Sequence, residues 1–143
     1  MPYAEGFAYI THAEWETLVG ADIVSALVGA DTTKSLRARE SASNEADERA
    51  LSAHVDIPLS ADYLTVVMKR RVAWIAAHHA ASELQRARNT QGRAPYHDEH
   101  DRAIQSLDRW AAGLKVLPGD VADGATDEAT YVVTNTRRNW RRR

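Results

Sequence analysis

Cysteine is absent from the 143-residue chain, which excludes a disulfide framework and thiolate metal sites. Strong charge of one sign is also missing. The formal net charge is −2, which gives no sign of a general nucleic-acid binder. No window approaches ~18 uninterrupted apolar residues, so no membrane span is expected. The opening MPYAEGFAYITHAEWE has neither a basic n-region nor an apolar h-region, so it does not read as a secretory signal, and synthesis in the cytoplasm is expected. There is no internal repeat of the kind that builds solenoids. No GxSxG, P-loop, GxGxxG or HExxH pattern occurs, and no catalytic residue, cofactor or metal site is assigned.

The four prolines and seven glycines leave one long stretch uninterrupted. From Pro58 to Arg88 the chain reads PLSADYLTVVMKRRVAWIAAHHAASELQRAR, with neither residue type after its first position. This predicts one long helix that the other segments pack against. Leu64, Val67, Met68, Val72, Ile75 and Leu84 lie near one another on a helical wheel, while Tyr63, Val66, Trp74, Ala77 and Ala81 spread over much of the rest. A helix apolar over most of its girth is covered on several sides, and in so small a chain part of that cover is open to another subunit.

Other helices announce themselves locally. Thr11 to Glu14 form a capping box, with Ile10 and Trp15 at staple positions. Gly20 suits the end of that helix. Asp22 is expected to cap a second short helix that Gly29 closes. A helix over 33–54 is predicted, with a seam of Leu36, Ser43, Ala46, Ala50 and Ala53. Its residues are small, bury little area and let two backbones come close. Asn44, Glu45, Asp47, Glu48 and Arg49 read as the opposite, solvated face. Residues 55–59 read as an extended link, since residues before Pro58 disfavour the α region, and Ser60 or Asp62 is expected to cap the long helix. A fourth substantial helix is placed from about Pro95, with Asp98, Glu99 and Asp101 at its N-terminus. Its stripe is Ala103, Ile104, Leu107, Trp110, Ala111 and Leu114, closing near Gly113.

After Lys115 periodicity stops. The segment VLPGDVADGATDEA reads as a linker or arm. Thr130 to Thr134 has strand propensity and suits addition to an exposed sheet edge of another protein. The expected fold class is all-α: a small helical bundle around one long central helix over 1–118, with an extended C-terminal arm over 119–143.

Six histidines raise the question of a metal. His97 and His100 stand three apart at a helix start beside Asp98 and Asp101, a geometry able to hold a divalent cation; a solvated first turn is the plainer account. His78 and His79 are neighbours that point in different directions, one toward the core or an interface and the other toward solvent. Lys69, Arg70 and Arg71 form a basic cluster that fans over about 200° of the wheel, suited to intersubunit ion pairs or to snorkelling over apolar surface; with Trp74 they are assigned to intersubunit contact. Five of the last seven residues are arginine. Arg137, Arg138, Arg141, Arg142 and Arg143 surround Trp140, joining bidentate cations to a stacking face. Nucleic-acid contact, docking into an acidic groove of a protein partner, and a solvated tail are all open; the indole favours an ordered dock.

The order of motifs resembles the head-to-tail connector proteins of long-tailed bacteriophages, also called adaptor or head-completion proteins. The carriers are Tyr9-Ile10-Thr11 opening a capped helix, Ala42-Ser43-Asn44-Glu45-Ala46-Asp47, Ile57-Pro58-Leu59 before the long helix, and Ala111-Ala112-Gly113 with Leu117 after it. The resemblance spans about residues 9–118. Ala46 stands where that family has a larger aliphatic residue, and His54-Val55 where Arg-Tyr is frequent. The tail after residue 119 has no counterpart.

The resemblance implies a helical protomer in a homo-oligomeric ring, typically dodecameric, at the neck of a virion made in a bacterial host. The ring stacks beneath the portal protein at the capsid vertex, extends the channel for packaged DNA and meets a neck or tail-completion protein. It implies no catalysis, and no membrane partner is expected. On this basis Tyr131, Val132, Val133, Arg137, Arg138, Trp140 and Arg141 to Arg143 are assigned to portal or neighbouring-subunit contact. A small DNA-binding protein acting through the Arg/Trp tail is the alternative. A DNA reader carries basic residues on a folded recognition helix as well.

Overall fold

The computed structural model describes residues 7–114. The five helices are α1 (His12–Val19), α2 (Ala21–Val28), α3 (Thr32–Ser52), α4 (Val66–Ala87) and α5 (His97–Leu114). No strand occurs among the described residues, and the all-helical bundle is as expected. The C-terminal arm and the short strand expected in it lie outside the described residues.

Local chemistry sets most of the boundaries. The Thr11 hydroxyl accepts from the Glu14 amide at 3.1 Å, and the Glu14 carboxylate accepts from the Thr11 amide at 2.9 Å, completing the capping box. Ile10 and Trp15, the staple pair, are both buried. Gly20 then serves two helices: it closes α1 and stands at the N-cap of α2, so Asp22 lies inside the first turn and is not the cap. Its φ of 123° is the reason for glycine here, since L side chains rarely adopt that region. The Asp31 carboxylate accepts from the Lys34 amide at 3.1 Å and starts α3.

The long helix starts later than Pro58. Residues 53–65 run as a link with a cis Ile57–Pro58 bond. Tyr63 and Leu64 donate back to the Ser60 and Ala61 carbonyls in tight turns, so they do not continue the wheel of α4. The cap is Thr65, not Ser60 or Asp62; its hydroxyl accepts from the Met68 amide at 3.2 Å. At the other end Asn89 takes a φ of 54° beyond the helix. Tyr96, at φ 64°, turns the chain into α5, so Pro95 lies before the helix and not in its first turn.

α4 touches each of the other four helices. It buries Met68, Val72 and Ile75 together with Ala73, Ala76, Ala77, Ala80 and Ala81. The facing helix α3 buries Ser35, Ala38, Ala42, Ser43, Ala46, Asp47 and Ala50. Both are rich in small residues, so little apolar area is removed per residue but the backbones approach closely. The seam differs from expectation at Leu36, which is only half-buried, because Ser35, Ala38 and Ala42 take the inward positions. The larger core residues are Ile10 and Trp15 near the start, Val24 from α2, Val72 and Ile75 from α4 and Leu107 from α5, with none from α3. Trp15 also donates through Nε1 to the Ala73 carbonyl at 3.0 Å, tying α1 to the middle of α4.

On α5 the stripe is inward at Ala103, Leu107 and Ala111, half-buried at Ile104 and Trp110, and exposed at Leu114. Two residues assigned to the solvated face of α3 turn inward. Asp47 is buried and accepts from the Tyr9 hydroxyl, and Glu45 is half-buried beside two histidines. The positional cause is the spacing 35, 38, 42, 46, whose inward arc is flanked by 45 and 47.

Candidate functional site

The basic cluster on α4 divides. Lys69 reaches α1, where Nζ meets Glu14 Oε2 at 2.8 Å. This pair holds the Glu14 carboxyl below its ordinary value, chiefly through the Lys69 hydrogen bond. Arg70, Arg71 and Trp74 instead share a groove of about 320 Å³ with Val67 of α4 and with Glu99, Arg102 and Ser106 of α5. Arg71 is half-buried there; burial, reinforced by nearby Arg109, works against its charge and lowers its pKa. Trp74 packs on Tyr96 with ring centroids 5.9 Å apart. Val66 and Val67, at the start of α4, are 62% and 49% exposed. Three of the four residues assigned to subunit contact thus line one groove, and Lys69 does not. The arm residues Tyr131 to Val133 and Arg137 to Arg143 lie outside the described residues.

A second cluster joins histidines that the sequence presents as two separate pairs. Glu45 of α3 lies between His79 of α4 and His100 of α5. Its Oε2 is 2.7 Å from His79 Nε2 and its Oε1 is 3.2 Å from His100 Nε2. The ligand atoms of these three residues all fall within 4.8 Å of one another. His78 lies against His100 with ring centroids 4.4 Å apart, and His97 is 5.6 Å from His78. His97 also pairs with Asp101 at 3.2 Å, one helical turn along.

The electrostatics follow from partial burial. For Glu45, loss of water opposes ionisation, but the hydrogen bond from His79 and the charges of His79 and His100 outweigh it, so its pKa lies below the ordinary value. His78 is pushed down by burial first and by the neighbouring imidazoles second. Its Nδ1 is buried without a hydrogen bond of ordinary geometry. The nearby Pro95 carbonyl acts the other way and favours the proton.

The sequence shows these four histidines only as two separate pairs, and its pattern places Glu45 on the solvated face of α3. Within a helix the signal was present, since 38, 42 and 45 follow the four-and-three spacing of an inward face. What joins Glu45 to His79 and His100 is the mutual register of three helices.

The chain has no match among protein-family models, curated proteins or solved structures. Among the described residues no helix is long and apolar enough to cross a membrane.

Proposed function

We propose that this chain is a structural head-to-tail connector of a tailed phage or phage-like particle, forming a ring beneath the portal that extends the DNA channel and meets the next neck or tail component. The ordered motifs of the resemblance support this, and those over 9–113 fall within the helical bundle.

The observation that carries the reading is the uncovered flank of α4. This helix is covered by the four others, yet Val66 and Val67 remain exposed and lead into the groove of Arg70, Arg71 and Trp74. The occupant we assign is a second copy of this chain. A closed ring joins two different faces of one protomer, and exposed acids elsewhere on the surface, such as Asp22 and Asp56, offer opposite charge. Many copies then present a repeated surface, so weak single contacts add up. The arm from residue 119 onward is assigned to the portal or a neighbouring subunit.

Two variants test the two contacts. Trp74→Ala is expected to weaken assembly, read by sedimentation, more than it weakens the folded protomer, read by circular dichroism and thermal unfolding. Truncation after Gly119 is expected to reduce portal binding and particle assembly. Unchanged assembly in the first variant contradicts the ring interface, and unchanged portal binding and assembly in the second contradict the role of the arm.

A further inference from the structure

We propose that Glu45, His79 and His100 form a binding site for one divalent transition-metal ion of the zinc class, tying α3, α4 and α5 together. Each helix contributes one ligand, and the three coordinating atoms already lie within 4.8 Å of one another. The side chains are 24%, 31% and 19% exposed, so the point where they converge is sheltered yet open to an entering ion.

The donor set selects the metal. Two imidazole nitrogens and one carboxylate oxygen suit zinc, cobalt or nickel. Magnesium and calcium favour oxygen ligands and disfavour such a set. The two oxygens of the Glu45 carboxylate each face one Nε2. Binding an ion requires both Nε2 lone pairs, so the ring proton of each neutral histidine resides on Nδ1. For His100 that atom faces Asp101 Oδ1 at 3.4 Å, a carboxylate behind a ligating histidine, which fixes ring orientation and raises ligand basicity. The ring of His78 packs against the same imidazole. Three protein ligands leave a fourth position for water.

The consequence is mechanical. α5 is held by an inward stripe in which Ala103 and Ala111 flank a single large residue, Leu107. An ion bound at His100, in the first half of α5, adds a tie from this helix to both α3 and α4. An isolated protomer suffices for binding, so the site stands or falls separately from the connector function.

The test uses the full chain, stripped with a chelator and titrated with zinc by calorimetry, with magnesium as the comparison ion. One zinc per chain is expected, with a higher melting temperature and slower amide exchange in residues 97–114. Glu45→Gln, His79→Gln and His100→Gln are each expected to weaken binding by about 100-fold or more, beyond the usual loss for an outer-shell partner. His97→Gln is expected to retain it. Circular dichroism checks the fold of each variant, and Glu45→Gln, which keeps the side-chain shape, decides if a histidine variant does not fold. The assignment is overturned if the stripped parent binds no zinc, if Glu45→Gln binds zinc as tightly as the parent, or if magnesium stabilises equally. The cluster is then an ion-pair network alone.

Discussion

The Tyr9 hydroxyl donates to the buried carboxylate of Asp47 and, through the same oxygen, accepts from the Leu59 amide at 2.7 Å. One phenol therefore joins the segment before α1, the C-terminal third of α3 and the link that leads to α4. Tyr9 is further tied to α3 by its own amide, which donates to the Ser43 hydroxyl at 2.9 Å. Tyr9→Phe keeps the ring and removes both contacts of the oxygen. Hydrogen bonds to charged groups are worth more than neutral ones, so a loss of about 2 kcal/mol is expected. Urea unfolding checks this; a midpoint equal to the parent's contradicts it.

The alanine-lined contact of α3 with α4 makes a volume prediction. Ala46 is fully buried. On α4, Ala73, Ala76 and Ala77 are buried as deeply. The helices have closed around small residues, so little room is left for a larger side chain. Ala46→Leu is expected to destabilise by about 1–3 kcal/mol through overpacking. A stabilised variant in thermal or chemical unfolding would contradict the close approach.

How much of this was legible in the sequence depends on the range of the interaction. The Thr11–Glu14 capping box and the closure at Gly29 were readable because each is set within a few residues. The apolar girth of α4 predicted its central place, which its contacts with all four other helices bear out. The start of α4 was misread because Ser60, Asp62 and Thr65 are all cap-competent, and only the turns over 60–64 decide among them. Asp47 and Glu45 were misread because carboxylates default to solvent, and their partners Tyr9, His79 and His100 lie at least 34 residues away.

Acid should weaken the bundle partly through Glu14. Its carboxyl is held below the ordinary 4.5 by the Lys69 hydrogen bond first and the Thr11 amide second. A depressed folded-state pKa contributes stability above the unfolded value, and that stability is lost as pH falls through the folded value. Because Glu14 is 40% exposed, solvent screens the pair and the contribution is modest. Stability of Glu14→Gln, followed by urea midpoint between about pH 6 and pH 3, is expected to fall less steeply than that of the parent. Equal slopes contradict the assignment.

The central claim is assembly, and electron microscopy of the purified full chain, alone and mixed with portal protein, tests it most directly. Rings that stack on the portal are the expected result. A stable monomer with no affinity for portal contradicts the connector function.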